Sequence, residues 1–289
     1  MALRPQRFTS GQQMVLPDFE LHYKLDSDLA DVDLHHHDFY EIYYLISGDV
    51  TYTIESKLYK VLPGDVLLIS PRELHQVHIC PEHDDYERYV LWVSPQMIRR
   101  LSTPATDLGQ ALEPNCPGYG NQLRLPRSDR QRIRGLLDQL YLETQEQAYG
   151  CDLMPETLLR QLLVQLNRMA MERDCHLEDL YRSSETVSQV IRYINLHYSE
   201  PLSLEILAEK FYISKYYLSH EFKQQIGTSV GRYIRKKRLQ IARHLLSQGS
   251  KPSKVSALCG FGDYTLFYRA FREEYGISPR EFQQGKIQD

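Results

Sequence analysis

The chain has 289 residues, of which 42% are hydrophobic and 25% charged, a composition typical of a globular protein with room for two domains. No apolar stretch approaches the roughly 18 residues of a membrane helix, and the N-terminus lacks the apolar segment of a secretory signal, so we expect a cytoplasmic protein without a membrane partner. The net charge of -4 is unevenly distributed: residues 185–289 hold 16 Lys and Arg against 10 Asp and Glu, and residues 1–184 hold 18 against 28. Only the second half is therefore a candidate for contact with a polyanion.

The first half of the chain has the pattern of a β-structure. Between about residues 18 and 100, short segments rich in Val, Ile, Leu and Tyr include EIYYLI, DVLLIS and YVLWVS. Turn signals such as Ser47-Gly48-Asp49 and Pro63-Gly64-Asp65 separate them. Many short strands interrupted by Gly and Pro are typical of a sandwich or a small barrel.

After Pro126 the apolar spacing becomes that of helices. Leucines recur at i, i+3/i+4 and i+7 in two segments, one around Leu136 and one around Leu158, on either side of a break that contains Gly and Pro. This pattern predicts a helical hairpin over residues 129–174. One interpretation packs both helices on the β-structure, and the other extends their leucine stripes to a second copy of the chain. We expect a homodimer.

The last hundred residues are predicted to be helical throughout, after a polar linker over residues 175–184. Two helix–turn–helix units, with turns at Phe211-Tyr212 and at Gly260-Phe261-Gly262, are joined by one long helix. Ser203 has the position of an N-cap for the first unit. In a unit of this kind the second helix can enter the major groove of DNA, and two such helices about one DNA turn apart (roughly 34 Å) reach successive grooves.

Both second helices are predicted to be amphipathic. Leu218 and Phe222 form the apolar face of one, and Phe267 and Phe271 form that of the other, each pair at i, i+4 spacing. The remaining positions of their first turns are predicted to face outward.

This half of the chain resembles the DNA-binding domain of the AraC/XylS family of bacterial transcription regulators. The most specific part, from Gly260 to Phe282, reads GFGDYTLFYRAFREEYGISPREF. The upstream part matches through LAEKFYISKYYLSHEFKQQIGTSVGRYIRKKRLQIARHLL, which contains the family pattern A-x-x-x-[YF]-x-S-x-x-Y-L-x-x-x-F-K. The resemblance implies a regulator that binds double-stranded promoter DNA and contacts RNA polymerase.

By position in the family pattern, the resemblance assigns six residues to base edges. They are Tyr216, Ser219 and His220 in the first unit and Thr265, Tyr268 and Arg269 in the second. The residues assigned to phosphates are Lys215, Lys223 and Arg272. Arg269 is the strongest candidate because arginine pairs bidentately with guanine. Ser219 and His220 are weaker readers than a Gln-Arg pair would be, so the second unit is expected to share more of the discrimination.

A basic cluster lies on the helix that connects the two units. Its members are Arg232, Arg235, Lys236, Lys237 and Arg238. We interpret it as a solvated face with one buried salt bridge at Arg238, and phosphate contact by one of its members is the alternative.

The β-rich half resembles the cupin-like sensor domain of many regulators of this family. The spacing His35-x-His37, three residues, Glu41, six residues, Gly48 is present, and GDVLLISPRELH follows, ending at His75. If residues 35–41 are extended, the period of two places His35, His37 and Glu41 on one face, with His36 on the other.

Three interpretations of these polar residues stay open. In the first, they line a pocket for a small polar effector such as a sugar, with aromatic rings on its apolar side and no cofactor. The candidate residues are His35, His37, Glu41, Tyr43, His75 and Trp92. In the second, His35, His37, Glu41 and His75 hold a divalent metal as part of sensing. In the third they are internal polar residues without a ligand. A cupin metalloenzyme is a more distant alternative, because the DNA-binding domain in the same chain predicts a protein that is not an enzyme.

We therefore predict an α+β protein of two domains. A cupin-like effector-sensing barrel is expected over residues 1–128, followed by the helical hairpin and the linker. An all-α domain with two helix-turn-helix units is expected over residues 185–289. The predicted function is sequence-specific regulation of transcription, as an activator that responds to a small molecule, with a ligand-independent repressor as the alternative.

Overall fold

The computed structural model describes residues 13–27, 32–55, 57–71, 73–80, 85–114, 116, 119–172 and 185–285. The predicted linker over residues 175–184 lies outside this part of the chain. Contacts divide the chain into two compact units. The first contains Met1–Val32, His36–Ile54 and Tyr59–Tyr181, and the second contains Arg182–Asp289 together with the short segments Asp33–His35 and Glu55–Leu58. Within the described ranges, no helix has the length and apolar character needed to cross a membrane.

The N-terminal part of the chain is built on two β-sheets. The strands are β1 (Phe19–Asp26), β2 (Val32–His35), β3 (Tyr40–Ser47), β4 (Val50–Ile54), β5 (Lys57–Val61), β6 (Val66–Ile69), β7 (His75–Ile79), β8 (Tyr86–Val93) and β9 (Gln122–Leu123). Their order is β1-β8-β3-β6-β9 in the larger sheet and β2-β7-β4-β5 in the smaller. Strand β3 runs antiparallel to both β6 and β8.

The larger sheet is covered on both faces, and β3 shows how the sequence allows this. Its first six residues are all buried. Ile42 and Tyr44 belong to one apolar cluster, whereas Tyr43 and Leu45 belong to another, which includes residues of the smaller sheet. Because successive side chains point to opposite faces, Glu41 lies on the same face as Tyr43. The polar candidate residues therefore enter the cluster between the two sheets.

Helices cover the outer face of the larger sheet. They are α1 (Pro95–Leu101), α2 (Arg127–Gln145) and α3 (Met154–Met171), with a short 3-10 turn at Gln110–Leu112. The predicted pair of long helices is confirmed. The leucines of α2 and α3, such as Leu140 and Leu162, are fully buried in the same cluster as Ile42 and Tyr44. The stripes thus pack on the sheet within one chain, as the first interpretation expected, and a role of the hairpin in dimerisation stays a prediction.

The C-terminal part of the chain, residues 185–285, is helical. The helices are α4 (Glu185–His197), α5 (Leu204–Lys210), α6 (Lys215–Ile226), α7 (Val230–Ser247), α8 (Pro252–Leu258), α9 (Tyr264–Tyr275) and α10 (Pro279–Gln283). Helices α5 and α6 form one helix-turn-helix unit, α8 and α9 form the other, and α7 connects them. The predicted α+β class, with a β-rich N-terminal part and a helical C-terminal part, is confirmed.

Side-chain caps place the beginnings of these helices. Ser203 accepts a hydrogen bond from the backbone N–H of Ile206, as predicted, and Ser214 accepts one from Tyr217. Further caps are Ser229, Asp263 and Ser278. Such caps satisfy N–H groups that have no partner within the helix. Residues close in sequence therefore determine where α6 and α9, the second helices of the two helix-turn-helix units, begin.

The two helix-turn-helix units make the same sharp turn with different residues. Tyr212 (φ 55°) and Gly260 (φ 75°) both adopt the left-handed conformation directly after the first helix of their unit. The residue after each donates back to that helix, from Ile213 N to Ala208 O (3.0 Å) and from Phe261 N to Ser256 O (3.1 Å). The two turns are thus geometrically equivalent.

Candidate DNA-binding surface and effector site

The second helix of each unit is held by apolar residues and presents its first turns to solvent. Leu218 and Phe222 are fully buried under α6, and Phe267 and Phe271 under α9, as predicted from their spacing. The exposed residues are Lys215, Tyr216, Ser219, His220 and Lys223 on α6, and Thr265, Arg269 and Arg272 on α9. This places eight of the nine predicted DNA contacts on a surface that a duplex can reach.

Tyr268 departs from this pattern because its side chain is half-buried. Its ring lies 6.4 Å from that of Tyr264, in a tilted arrangement. Only part of Tyr268 is therefore available to DNA, and its assignment to a base edge stays a prediction. In contrast, Arg269 is exposed and makes no ion pair with the residues that the structure describes. Its guanidinium is thus available for a bidentate contact.

The basic cluster on α7 is less available than the sequence indicated. Lys236 forms an ion pair with Glu274 (2.8 Å), and Lys237 is buried. Arg238 donates hydrogen bonds to the backbone carbonyls of Tyr198 and Glu200, each at 2.7 Å. The predicted buried salt bridge at Arg238 is wrong, because its guanidinium instead satisfies carbonyls that follow α4. The side chains of Arg235 and Glu273 also pair.

Asp263 caps the N-terminus of α9. Its carboxylate accepts hydrogen bonds from the backbone N–H groups of Leu266 (2.9 Å) and Thr265. These bonds hold the pKa of Asp263 below its usual value. A lowered pKa means that the cap stabilises the folded protein at neutral pH, and that this contribution disappears as the pH falls below about 4 toward the folded pKa.

We expect Asp263→Ala to lower the melting temperature at pH 7 and to weaken DNA binding through the loss of the first turn of α9. The difference from the unaltered protein is expected to shrink as the pH is lowered below about 4. Asp263→Asn is the control, because its amide oxygen caps the helix in both pH ranges. Melting curves recorded from pH 7 to pH 3 test this, and a constant difference across that range would contradict it.

Inside the first unit, three ionisable side chains meet. His37, Glu41 and His75 are 2%, 5% and 1% exposed. The Nε2 atom of His37 lies 3.6 Å from Oε2 of Glu41, and the rings of His37 and His75 meet edge to face with centroids 4.9 Å apart. One ligand atom from each residue lies within 4.8 Å of the other two. Buried charges and imidazoles in such proximity are the chemistry of a binding site.

Backbone and side-chain contacts hold this group in place. The Nδ1 atom of His37 is 2.7 Å from the carbonyl oxygen of Phe39, and that of His75 is 3.1 Å from the carbonyl oxygen of Glu73. Trp92 Nε1 donates to Oε2 of Glu41 at 2.9 Å. Both imidazoles and the carboxylate are therefore oriented by the protein.

The two aromatic candidates also lie in this interior. The Trp92 ring packs against Phe39, with centroids 4.7 Å apart. Tyr43 is fully buried and donates to the hydroxyl of Tyr86 at 3.0 Å. Burial raises the pKa of Tyr43 well above its usual range, so its hydroxyl stays protonated at neutral pH.

The histidines before His37 are placed differently from what parity predicted. Strand β2 ends at His35 and β3 begins at Tyr40, so the assumption that residues 35–41 are continuously extended is wrong. Among the described residues, the metal-compatible group contains His37, Glu41 and His75 but not His35. His35 is half-buried, and its Nδ1 lies 2.7 Å from the carbonyl oxygen of Asp33. His36 is also half-buried.

Several polar residues of this interior were missed by the sequence analysis. Lys24 and Arg88 lie directly opposite each other on β1 and β8 and are 5% and 3% exposed. Arg88 pairs with Asp26 at 2.8 Å. Burial, with the charge of Arg88, lowers the pKa of Lys24. The alternation of Glu20, His22, Lys24 and Asp26 along β1 was the available signal, because a period of two aligns these residues on one face.

A β-domain with a buried group of polar side chains and two helix-turn-helix units in the same chain form the architecture of a class of DNA-binding transcription regulators. Comparison with known families places this chain among them. The family of the AraC-like ligand binding domain matches residues 18–163, and that of the helix-turn-helix domain matches residues 207–285. The chain belongs to the AraC family of transcription regulators, whose members bind DNA and small-molecule effectors.

The chain is also similar to individual proteins and solved structures. The chain is 31% identical over 256 residues to the HTH-type transcriptional activator RhaS of Escherichia fergusonii, covering 87% of each chain. Among solved structures, the C-terminal domain of AraT, a response regulator from Geobacillus stearothermophilus, is 30% identical and covers 38% of this chain and 92% of its own, with a TM-score of 0.36. ToxT from Vibrio cholerae is 12% identical and covers 94% and 100%, with a TM-score of 0.37. The two family matches and the similarity to RhaS confirm the predicted function of a DNA-binding transcription regulator.

Proposed function

We propose that the protein activates transcription of a small set of genes when a small polar metabolite, such as a sugar, binds between its two sheets. The observation that carries this proposal is the set of buried polar side chains in that interior. They are Lys24, His37, Glu41, His75, Arg88 and Trp92. A few polar side chains that converge in an otherwise apolar interior are typical of a pocket for a small polar ligand. The activators among the similar proteins support the direction of regulation.

Effector binding would shift an existing balance between arrangements of the protein that fit the promoter differently. A regulator that acts in this way contacts RNA polymerase in the cytoplasm and works as a homodimer. Since the leucines of α2 and α3 are buried within one copy, the dimer interface uses other residues of the unit. This role requires no catalysis by the β-domain.

DNA binding is expected to be specific and strongly salt-dependent. Fluorescence anisotropy with a labelled fragment from upstream of the protein's own operon should give nanomolar-range binding. The affinity should fall steeply as the salt concentration rises from 50 to 200 mM, because each phosphate contact releases counterions. An unrelated duplex of the same length is the control. Binding that is indifferent to both sequence and salt would contradict the proposed function.

The effector is expected to stabilise the protein and to change its affinity for this fragment. A thermal-shift screen of monosaccharides and sugar acids, followed by anisotropy in the presence of each compound that stabilises the protein, tests the sensing role. At a concentration 100 times its Kd, a ligand that binds only the folded state adds about 2.7 kcal/mol to the free energy of unfolding. A matched set of enantiomers controls for nonspecific stabilisation by sugars.

A further inference from the structure

We propose that His37, Glu41 and His75 bind a divalent transition-metal ion, and that this ion forms the floor of the effector site. The metal site stands by itself, whereas its place in an effector site rests on the proposed function. It is carried by three independent features of the group, namely the closeness of the ligand atoms, the orientation of the imidazoles and the support of the carboxylate.

The first feature is distance. Metal ions bind imidazole nitrogen and carboxylate oxygen at roughly 2.0–2.2 Å, so two ligands of one ion are at most about 4.4 Å apart. The three candidate ligand atoms of His37, Glu41 and His75 lie within 4.8 Å of one another. Ligand atoms of a tetrahedral ion are about 3.4 Å apart, so side-chain movements of about 1 Å would bring all three onto a common ion. Two imidazoles with one carboxylate suit ions such as zinc, iron, nickel and copper.

The second feature is the orientation of the two imidazoles. In both histidines Nδ1 is within hydrogen-bond distance of a backbone carbonyl, that of Phe39 for His37 and that of Glu73 for His75. A carbonyl oxygen can only accept, so each Nδ1 carries the proton and donates it. Neutral imidazole then has its lone pair on Nε2. Metal-binding histidines are held by this same type of bond, which fixes the tautomer and the plane of the ring.

The residues that supply these carbonyls are themselves well fixed. The carboxylate of Glu73 accepts hydrogen bonds from the backbone N–H of Ser70 (2.9 Å) and from Asn121 Nδ2 (2.9 Å). The ring of Phe39 is 2% exposed and is stacked on that of His37, with centroids 4.1 Å apart and planes 6° apart. Both imidazoles are therefore positioned before an ion arrives.

The third feature is the support of the carboxylate. Trp92 Nε1 donates to Oε2 of Glu41 at 2.9 Å. An indole N–H is a donor only, so it favours the ionised carboxylate and fixes its plane. Trp92 thus acts as a positioning residue for Glu41, a role different from the stacking on an effector that the sequence suggested. An ion with three protein ligands retains open coordination positions, at which oxygen atoms of an effector can bind.

The test uses the full-length protein without an affinity tag, stripped with a chelator. Titration with Co²⁺, followed by its visible absorption spectrum, and titration with Zn²⁺, followed by calorimetry, should both give one ion per chain. His37→Ala, Glu41→Gln and His75→Ala are each expected to lower the affinity for Zn²⁺ by at least 100-fold. Absence of binding by the unaltered protein would overturn the proposal.

Two other histidines provide matched controls. His36 is next to His37 in sequence. His78 lies on β7, three residues after His75, so the side chains of His75 and His78 point to opposite faces of the sheet. Neither belongs to the group. His36→Ala and His78→Ala should therefore bind Zn²⁺ as the unaltered protein does. Equal losses in these controls and in His37→Ala would show that the ion binds elsewhere and would overturn the proposal.

Trp92→Phe tests the positioning role separately. We expect one bound ion per chain but an affinity for Zn²⁺ that is about 10- to 100-fold lower, because the carboxylate loses its donor. An unchanged affinity would overturn that role. DNA binding of the metal-free protein is measured in parallel by anisotropy. A protein that binds no metal but retains specific, effector-dependent DNA binding would refute the metal site while leaving the proposed function intact.

Discussion

Gly260→Ala is expected to be among the most destabilising single substitutions in the DNA-binding unit. A Cβ atom at this position would lie 2.6 Å from the carbonyl oxygen of Ser199 and under 3.0 Å from two further backbone atoms of that residue. The backbone cannot yield as a flexible side chain would, and the φ of 75° adds the cost of a left-handed conformation. We expect a loss of roughly 2–4 kcal/mol in the free energy of unfolding.

Two other glycines distinguish the cost of the close contact from the cost of the left-handed conformation. Gly249 has a φ of 85° but nothing within 4 Å of its Cβ position, so Gly249→Ala should cost only the conformational part, about 1 kcal/mol. Gly262 has open space and no positive φ, and Gly262→Ala should be nearly neutral. Chemical denaturation of the three variants measures the differences. A similar stability for Gly260→Ala and Gly249→Ala would contradict the close contact with Ser199.

The turn at Tyr212 in the first helix-turn-helix unit shows why only the turn at Gly260 needs glycine. Tyr212 has the same left-handed conformation and is 96% exposed. Its side chain meets solvent, so the turn costs conformational free energy but causes no collision. At Gly260 the same geometry faces the backbone of Ser199. The need for glycine thus comes from the neighbouring chain segment and not from the turn itself.

Arg269→Ala is expected to relax the sequence specificity of DNA binding at one base pair of the target. The side chain is exposed on the first turns of α9, and a bidentate contact with guanine discriminates by about 1–3 kcal/mol. In a set of promoter fragments with single base-pair changes, the variant should bind the changed and unchanged sequences equally at that one position. Elsewhere in the site its preferences should be preserved.

Arg272→Ala is the matched control, since Arg272 is exposed one turn further along α9 and is predicted to contact phosphate. We expect this variant to bind all fragments more weakly by a similar factor, with a smaller dependence on salt. Uniform weakening by Arg269→Ala across all fragments would assign Arg269 to the backbone as well. Folding of both variants is checked by their melting temperatures.

Much of the helical half could be predicted because its signals are local. A capping serine such as Ser203 and an i, i+4 apolar pair such as Leu218 and Phe222 each act within a few residues. The β-half was predicted only as a class, because strand pairing joins residues far apart in the chain. Lys24 and Arg88, for example, meet across two strands whose pairing no local pattern specifies.

The group of His37, Glu41 and His75 was likewise predicted in part from local sequence and in part only seen in the tertiary structure. The sequence placed His37, Glu41 and His75 among the candidate residues through their spacing. It also included His35, because the parity argument required an unbroken strand from residue 35 to residue 41. The bend between β2 and β3 breaks that parity. The role of Trp92 as a donor to Glu41 depends on the register between β3 and β8, where these two residues are paired.

The amino-acid sequence by itself determined the β-rich and helical halves, the two helix-turn-helix units and the family. Their signals are periodicity, caps and motifs, which are read along the chain. The tertiary structure decided which polar side chains share one interior, and it showed that the leucines of α2 and α3 pack on the sheet. It also revealed why residue 260 is glycine. Each of these depends on distances between segments remote in sequence, which a pattern along the chain does not contain.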